Sequence, residues 1–344
     1  KIYYATSGLL YRINIDAIQL PGQDDMLASS YNLVQLGSTR QLVEPDQMKF
    51  SSNNALLFGG LKFDFDTNKL VFDSVVQKSS TVQVVPGIAE RNLTNRGESW
   101  GFLPGTAKEV NEIEALLRKE SIEVTCLREY AGTEEAFKSI GQVGQSPRIL
   151  HMATHGFFFP DPERTIFTSE GVVQDSVTKE RTEKSATPRL KMEFKTNEHI
   201  FKISEHPMLR SGLILAGGDY AWHTGKSFRD GLEDGILTAY EISQMNLSNT
   251  ELVVLSACET GLGDIQGNEG VYGLQRAFKI AGVKYIIMSL WQVPDKQTSM
   301  LMTTFYKKWL EDKMSIPDAF HAAQKELREI GLDPYQWAGF VLIE

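Results

Sequence analysis

The sequence predicts an α/β fold in which a mostly parallel sheet carries helices on both faces. Three observations point there. Apolar runs of strand length, at residues 149–154, 211–216, 252–258 and 284–291, are continuous rather than alternating, as in strands buried on both faces. Between and after them lie segments whose apolar residues recur at helical spacing. Strands that alternate with helices are usually joined in parallel, because the helix returns the chain to the starting end of the sheet.

Taken in order, residues 1–6 and 9–15 are short β-like runs around Ser7-Gly8, which predicts a hairpin. Residues 55–65 are a further apolar run, interrupted by Gly59-Gly60. Residues 66–96 mix polar residues with Val82-Gln83-Val84-Val85 and give no assignment. A helix begins at Thr106, whose hydroxyl caps the first turn with Glu109 as capping-box partner. Val110, Ile113, Leu116 and Leu117 form its apolar stripe. Residues 122–127 read as a strand, and Thr133 with Glu134 and Glu135 opens another helix.

Between 159 and 207 the pattern gives way to Thr, Ser, Lys and Glu, which predicts a mobile surface insertion or a loop ordered by a partner. Order returns with a strand at 211–216 and a turn into a short helix at 234–242. Residues 270–281 are amphipathic, with Val271, Leu274, Phe278 and Ala281 on one stripe and Gly282 as the C-terminal stop. A strand at 284–291, helices at 295–310 and 315–330 (Pro317 in the first turn of the latter) and a closing strand at 337–343 complete the reading.

At 344 residues the chain is long enough for two domains or one large α/β unit. Its net charge of −9 and the lack of any Lys/Arg cluster argue against nucleic-acid binding, which relies on basic residues to displace phosphate counterions. No apolar run approaches the roughly 20 residues a membrane helix needs. The N-terminus lacks the features of a signal peptide, although a chain that begins without Met lends that observation little weight. Two cysteines, Cys126 and Cys258, are too few for a disulfide framework or a cysteine-rich zinc site, and a reducing cytoplasm is the expected setting.

Chemistry concentrates at strand ends, where open parallel sheets gather their functional groups. Cys258 ends the run from Leu252 and precedes a glycine-rich loop; His155 follows the run from Ile149 and precedes Gly156. A thiol and an imidazole so placed suggest a nucleophile with its base. The plainer reading is a core cysteine and a turn histidine, and the matched positions weigh against it. The N–H groups of Gly156 and Cys258 then suit an oxyanion hole, although Gly156 also suits a tight turn. Cys126 and His151 lie within apolar stretches and are read as core residues. His151 and His155 sit four apart on a strand without the glutamate of a zinc-protease motif, so no metal site is expected. The loop 261–270 fits neither a P-loop nor a dinucleotide fingerprint, and no cofactor is expected. Asp295, after the strand ending Ser289-Leu290-Trp291, is either a helix cap with Thr298 three residues on or the floor of a pocket for a Lys or Arg side chain. Glu259 is a weaker candidate for the same task.

Ala153-Thr154-His155-Gly156, Ser256-Ala257-Cys258-Glu259-Thr260-Gly261 and Ser289-Leu290-Trp291-Gln292-Val293 resemble the CHAT domain, a caspase-like and separase-related module often found with tetratricopeptide repeats. Leu103-Pro104-Gly105-Thr106 and Trp337-Ala338-Gly339-Phe340 fit the same pattern. The resemblance implies a caspase-like three-layer α/β/α sandwich, with residues 1–99 as an N-terminal strand-rich part and 100–344 as the catalytic part. It implies a cysteine endopeptidase with a His155–Cys258 dyad; the backbone of its protein substrate is expected to pair with Ser289 to Trp291, as peptides add to a strand edge. The separase relationship implies that Asp295 receives a basic side chain. A repeat domain or activator protein is the implied regulatory partner. A catalytically silent binding module and a thiol acyltransferase or ligase remain the alternatives.

Overall fold

The computed structural model describes residues 1–6, 10, 13–22, 25–43, 50–64, 99–142, 144–159, 164–168, 171–175, 201, 204, 206–228, 231–256, 269–291 and 293–344. Their strands are β1 (Ile2–Tyr4), β2 (Leu33–Gln35), β3 (Asn54–Leu61), β4 (Glu123–Glu129), β5 (Ile149–Met152), β6 (His155–Phe158), β7 (Arg164–Thr168), β8 (Gly171–Asp175), β9 (Ser211–Ile214), β10 (Ile236–Thr238), β11 (Leu252–Leu255), β12 (Tyr285–Ser289) and β13 (Phe340–Ile343). Their helices are α1 (Leu27–Ser30), α2 (Pro104–Lys119), α3 (Glu134–Lys138), α4 (Asp219–Thr224), α5 (Ala239–Ser243), α6 (Glu269–Ile280), α7 (Asp295–Leu310), α8 (Ile316–Glu329) and α9 (Pro334–Trp337).

The central sheet has the order β13-β12-β11-β5-β3-β4, parallel except for the edge strand β13. Successive residues of its strands feed two different cores. Leu150, Met152, Val253, Leu255, Ile286 and Met288 point to one side, where Leu274, Ala277 and Phe278 of α6 cover them. Ile149, Leu252, Val254 and Ile287 point to the other, against Val110, Ile113 and Leu117 of α2, Phe305 and Tyr306 of α7 and Phe320 of α8. Burial on both faces explains why these strands read as unbroken apolar runs, and each fully buried aliphatic side chain stabilises the fold by roughly 1.5–3 kcal/mol. The expected three-layer α/β/α arrangement with a mostly parallel sheet is the one observed.

A second, antiparallel sheet, β10-β9-β6, lies in the layer of α6. Its strand β6 continues almost directly from β5. Ala153 still bonds the central sheet, its N–H donating to Phe58 O at 2.8 Å, and His155 already pairs with Ile214 of β9. Thr154 turns the corner, its hydroxyl donating to Ile214 O.

Several expectations need correction. The turn of the expected N-terminal hairpin, Ser7-Gly8, lies outside the described residues; among those described, β1 pairs in parallel with β2, about thirty residues on, and Ile15–Ala17 is a 3-10 turn. The first long helix starts at Pro104, with Leu103 as N-cap, and no capping box forms. Instead the Thr106 hydroxyl donates to Leu103 O at 2.7 Å and accepts the N–H of Gly60 at 2.9 Å. Glu109 is buried beneath the sheet, where it meets His151. The helices at 295–310 and 315–330 agree to within a residue, and Gly282 stops α6 at φ +102°. The unassigned stretch 66–96 and most of the insertion 159–207 lie outside the described residues; of the insertion, the described strands β7 and β8 pair as an antiparallel two-stranded sheet. No helix among the described residues is long and apolar enough to cross a membrane.

Candidate active site

Where β5 and β11 end, their neighbours are in register. Phe58 of β3, Met152 of β5, Leu255 of β11 and Met288 of β12 are aligned across the sheet. β5 and β11 are therefore direct, parallel neighbours, and the Ser256 N–H donates to Met152 O at 2.9 Å just past their ends. His155 follows Met152 by three residues and Cys258 follows Ser256 by two. Cys258 and Glu259 lie outside the described residues.

His155 is not on an open loop, as its sequence position suggests, but opens β6 with only 1% of its surface exposed. Its imidazole packs against two rings, Phe63 at 4.7 Å and Trp100 at 4.9 Å between centroids. Its Nε2 is 2.7 Å from the carbonyl oxygen of Gly101. A carbonyl can only accept, so Nε2 carries a proton and the neutral ring keeps its lone pair on Nδ1. That is the tautomer a general base needs if Nδ1 is to receive a proton.

Backbone direction follows from ladder alternation. The Phe159 N–H donates to Arg210 O at 2.7 Å, so residues 159 and 157 face β9 and the N–H of Gly156 faces away from it. At the other strand end the Leu290 N–H donates to Gly339 O at 2.7 Å. Leu290 thus faces β13, and the backbone groups of Ser289 face the β11 side. The Trp291 indole is fixed by donating to Tyr335 O at 2.8 Å and by stacking on the Tyr335 ring.

Asp295 is the first residue of α7, and no side-chain capping bond forms at that end, where Pro294 is the N-cap. The Thr298 hydroxyl turns instead toward Val293 O. The cap alternative for Asp295 is therefore not realised. Its carboxylate lies over Gly105 in the first turn of α2, so close that a methyl group on Gly105 would sit 2.8 Å from the Asp295 Cβ. One short segment, Gly101 to Gly105, therefore touches His155 at its start and Asp295 at its end, and four residues span at most about 14 Å.

The residues read as structural are so placed. His151 is fully buried, its ring nitrogens 2.8 Å from Glu109 Oε1 and 3.3 Å from the Tyr306 hydroxyl. The Cys126 thiol is half-buried, and burial pushes its pKa up to about 11, so it is protonated and inert near neutrality. Glu134, Glu233 and Glu241 converge, but around the ammonium of Lys138 at 2.6–2.7 Å, which bonds all three and offsets part of their charge.

Four residues around His155 escaped sequence reading: Phe63, Trp100, Gly101 and Asp219. Asp219 is 9% exposed, and its Oδ1 accepts the Trp100 N–H at 2.9 Å. Burial raises its pKa, while the Trp100 N–H favours its ionised form. Nothing in residue spacing announces this group. The one hint is that Trp100-Gly101 stands immediately before the Leu103-Pro104-Gly105-Thr106 segment.

A family model described as the CHAT domain matches residues 1–344. The chain belongs to the CHAT domain family. The α/β/α sandwich described above is the architecture that resemblance to this family implied. Among curated proteins, this CHAT domain is 32% identical over 115 residues to Tetratricopeptide repeat protein 28 of Mus musculus, and 32% identical over 114 residues to its Homo sapiens counterpart. Each match spans 33% of the chain and 4% of the relative's length. Among solved structures, the CHAT domain is similar to the Arg specific cysteine proteinase gingipain R, with a TM-score of 0.44 and 10% identity over 91% of this chain and 53% of that one. It is also similar to the complex of Porphyromonas gingivalis RgpB pro- and mature domains, with a TM-score of 0.43 and 10% identity over 91% and 54% of the two chains.

Proposed function

We propose that this CHAT domain is a cysteine endopeptidase in which His155 and Cys258 form the dyad and Asp295 selects a basic P1 side chain. The observation that carries the reading is the parallel pairing of β5 with β11, in register to their last residues. Cys258 follows Ser256 by two residues, and two residues of chain span at most about 7 Å. In this reading the base and the thiol share one edge of the sheet.

In the mechanism, Nδ1 of His155 takes the proton of Cys258, and the thiolate attacks the scissile carbonyl. The N–H groups of Gly156 and Cys258 stabilise the oxyanion, consistent with the Gly156 N–H facing away from β9. The imidazolium returns its proton to the leaving amine, and a water activated by the same ring releases the acyl group. Substrate backbone pairs with Ser289 and Trp291 on the side opposite β13. The carboxylate of Asp295, with Glu259 as the weaker candidate, meets the P1 ammonium or guanidinium.

Residues 1–99 and 100–344 act as one catalytic unit in this reading, since β3 lies between β5 and β4 in the central sheet. The relatives' names point to tetratricopeptide repeats as the regulatory partner. A reducing cytoplasm would keep the thiol active.

The test is cleavage of a fluorogenic peptide library by wild type, Cys258→Ala and His155→Ala, alongside labelling by a thiol-reactive active-site probe. We expect turnover after Arg or Lys in the wild type and none in either variant. Equal turnover in wild type and Cys258→Ala would overturn the dyad. A preference for acidic P1 residues would overturn the role of Asp295.

A further inference from the structure

We propose that Asp219 is the positioning residue of His155, holding both rings that pack against the imidazole and the segment whose carbonyl fixes its tautomer. This rests on the reading of His155 as the catalytic base.

The two rings arrive from different parts of the chain, Phe63 just after β3 and Trp100 just before α2. Asp219 ties both. Its backbone N–H donates to Phe63 O at 3.0 Å, and its carboxylate Oδ1 accepts the Trp100 N–H at 2.9 Å. Trp100 stands next to Gly101, whose carbonyl accepts from His155 Nε2 at 2.7 Å. The α4 helix adds Trp222, whose ring lies edge-on to Trp100 at 4.9 Å. Phe63, Trp100 and Gly101, which touch the His155 ring, are thus each bonded to Asp219 or adjacent to a residue that is.

The side-chain bond is the variable part of this arrangement. A carboxylate accepting a backbone N–H makes a charge-assisted bond, stronger than a neutral one, and this one is nearly buried. Its loss leaves the Trp100 N–H without that acceptor and loosens the Trp100-Gly101 path. The imidazole then samples other tilts and the Nδ1-protonated tautomer, in which it is no base toward the thiol. Asp219 touches neither substrate nor thiol in this scheme; it acts through the backbone.

Asp219→Ala and Asp219→Asn are compared with wild type on a fluorogenic peptide amide with Arg at P1. The Asn side chain still offers an oxygen to the Trp100 N–H. We expect Asp219→Ala to lower kcat on the order of 10²-fold with KM within about twofold, the scale of a misplaced catalytic group, and Asp219→Asn to keep most of kcat. Nitrogen-15 NMR of the histidines supplies a readout independent of turnover. In wild type the neutral His155 is protonated at Nε2, and in Asp219→Ala the two tautomers mix. Should Asp219→Ala not fold, Asp219→Ser, whose hydroxyl is too short to reach the same N–H, takes its place.

An unchanged kcat and tautomer in the Ala or Ser variant overturns the proposal. So does an Asn variant as impaired as Ala, or a loss confined to KM. If wild type and Cys258→Ala prove equally inactive, the protease reading fails and the nitrogen-15 shifts alone decide the role of Asp219.

Discussion

Residue by residue, what a histidine does here is decided by its neighbours rather than by its place in a motif. His151 and His155 are four apart, yet the first faces α2 and α7 through Glu109 and Tyr306 while the second faces two aromatic rings and a carbonyl. The Glu109–His151 contact is dry, so removing one partner strands the other's polar group at a cost of roughly 3–5 kcal/mol if it is charged and 1–3 if neutral. His151→Ala is thus expected to lower unfolding free energy by about 3 kcal/mol in denaturant titration. The double variant Glu109→Leu/His151→Leu is expected to lose less than the sum of the two single changes. The capping-box reading of Glu109 failed for the same reason: its partner lies 42 positions away, and helix-end patterns carry no information about a sheet above them. Asp219 was illegible on similar grounds, since what it holds is a backbone N–H that any residue at position 100 other than proline would supply.

For elements, legibility tracked burial on two faces. Strands β5, β11 and β12 and helices α6 to α8 were readable because each fills a core with a regular apolar period. The partner of β1 is remote in sequence, and β6 was missed because His155-Gly156 reads as a turn past a strand end, whereas it opens a strand whose partner, β9, is also remote. The junction of α3 with β10 and α5 has a pH signature of its own. Burial, then the charge of Glu241, pushes the Glu134 pKa up from 4.5 to about 8, against the opposing pull of Lys138. Lys138 is itself raised: burial lowers it, but the charge of Glu134 and the bonds of the three glutamates outweigh that. A carboxyl that holds its proton more tightly when folded makes stability fall as pH rises between its unfolded and folded values. Thermal melts are therefore expected to drop between pH 5 and about 8, with a shallower slope in Glu134→Gln.

On the scale of the whole molecule, the site sits where two sheets meet. The insertion between β6 and β9 leaves from their antiparallel pairing, which closes with the Phe159 N–H on Arg210 O. The Arg210 side chain is fully buried and donates to both Phe159 O and Ser204 O, on either side of the insertion. The two halves of the chain are further joined inside the central sheet, where β5 precedes the insertion and β11 follows it. A chain carrying an engineered protease site near residue 190 and cut there is expected to stay one species by gel filtration, separating only in denaturant. Dissociation of the fragments under native conditions would show that this stem does not hold the halves together.

The contact that fixes the His155 ring is made by the carbonyl of Gly101, and every amino acid has a carbonyl. A mutational scan that replaces one side chain at a time passes over it: no substitution at position 101 deletes that oxygen. Only a change in chain length or in the anchors on either side would displace it. For the proposed dyad, genetics alone would report two residues and overlook the part of the backbone that holds the His155 ring.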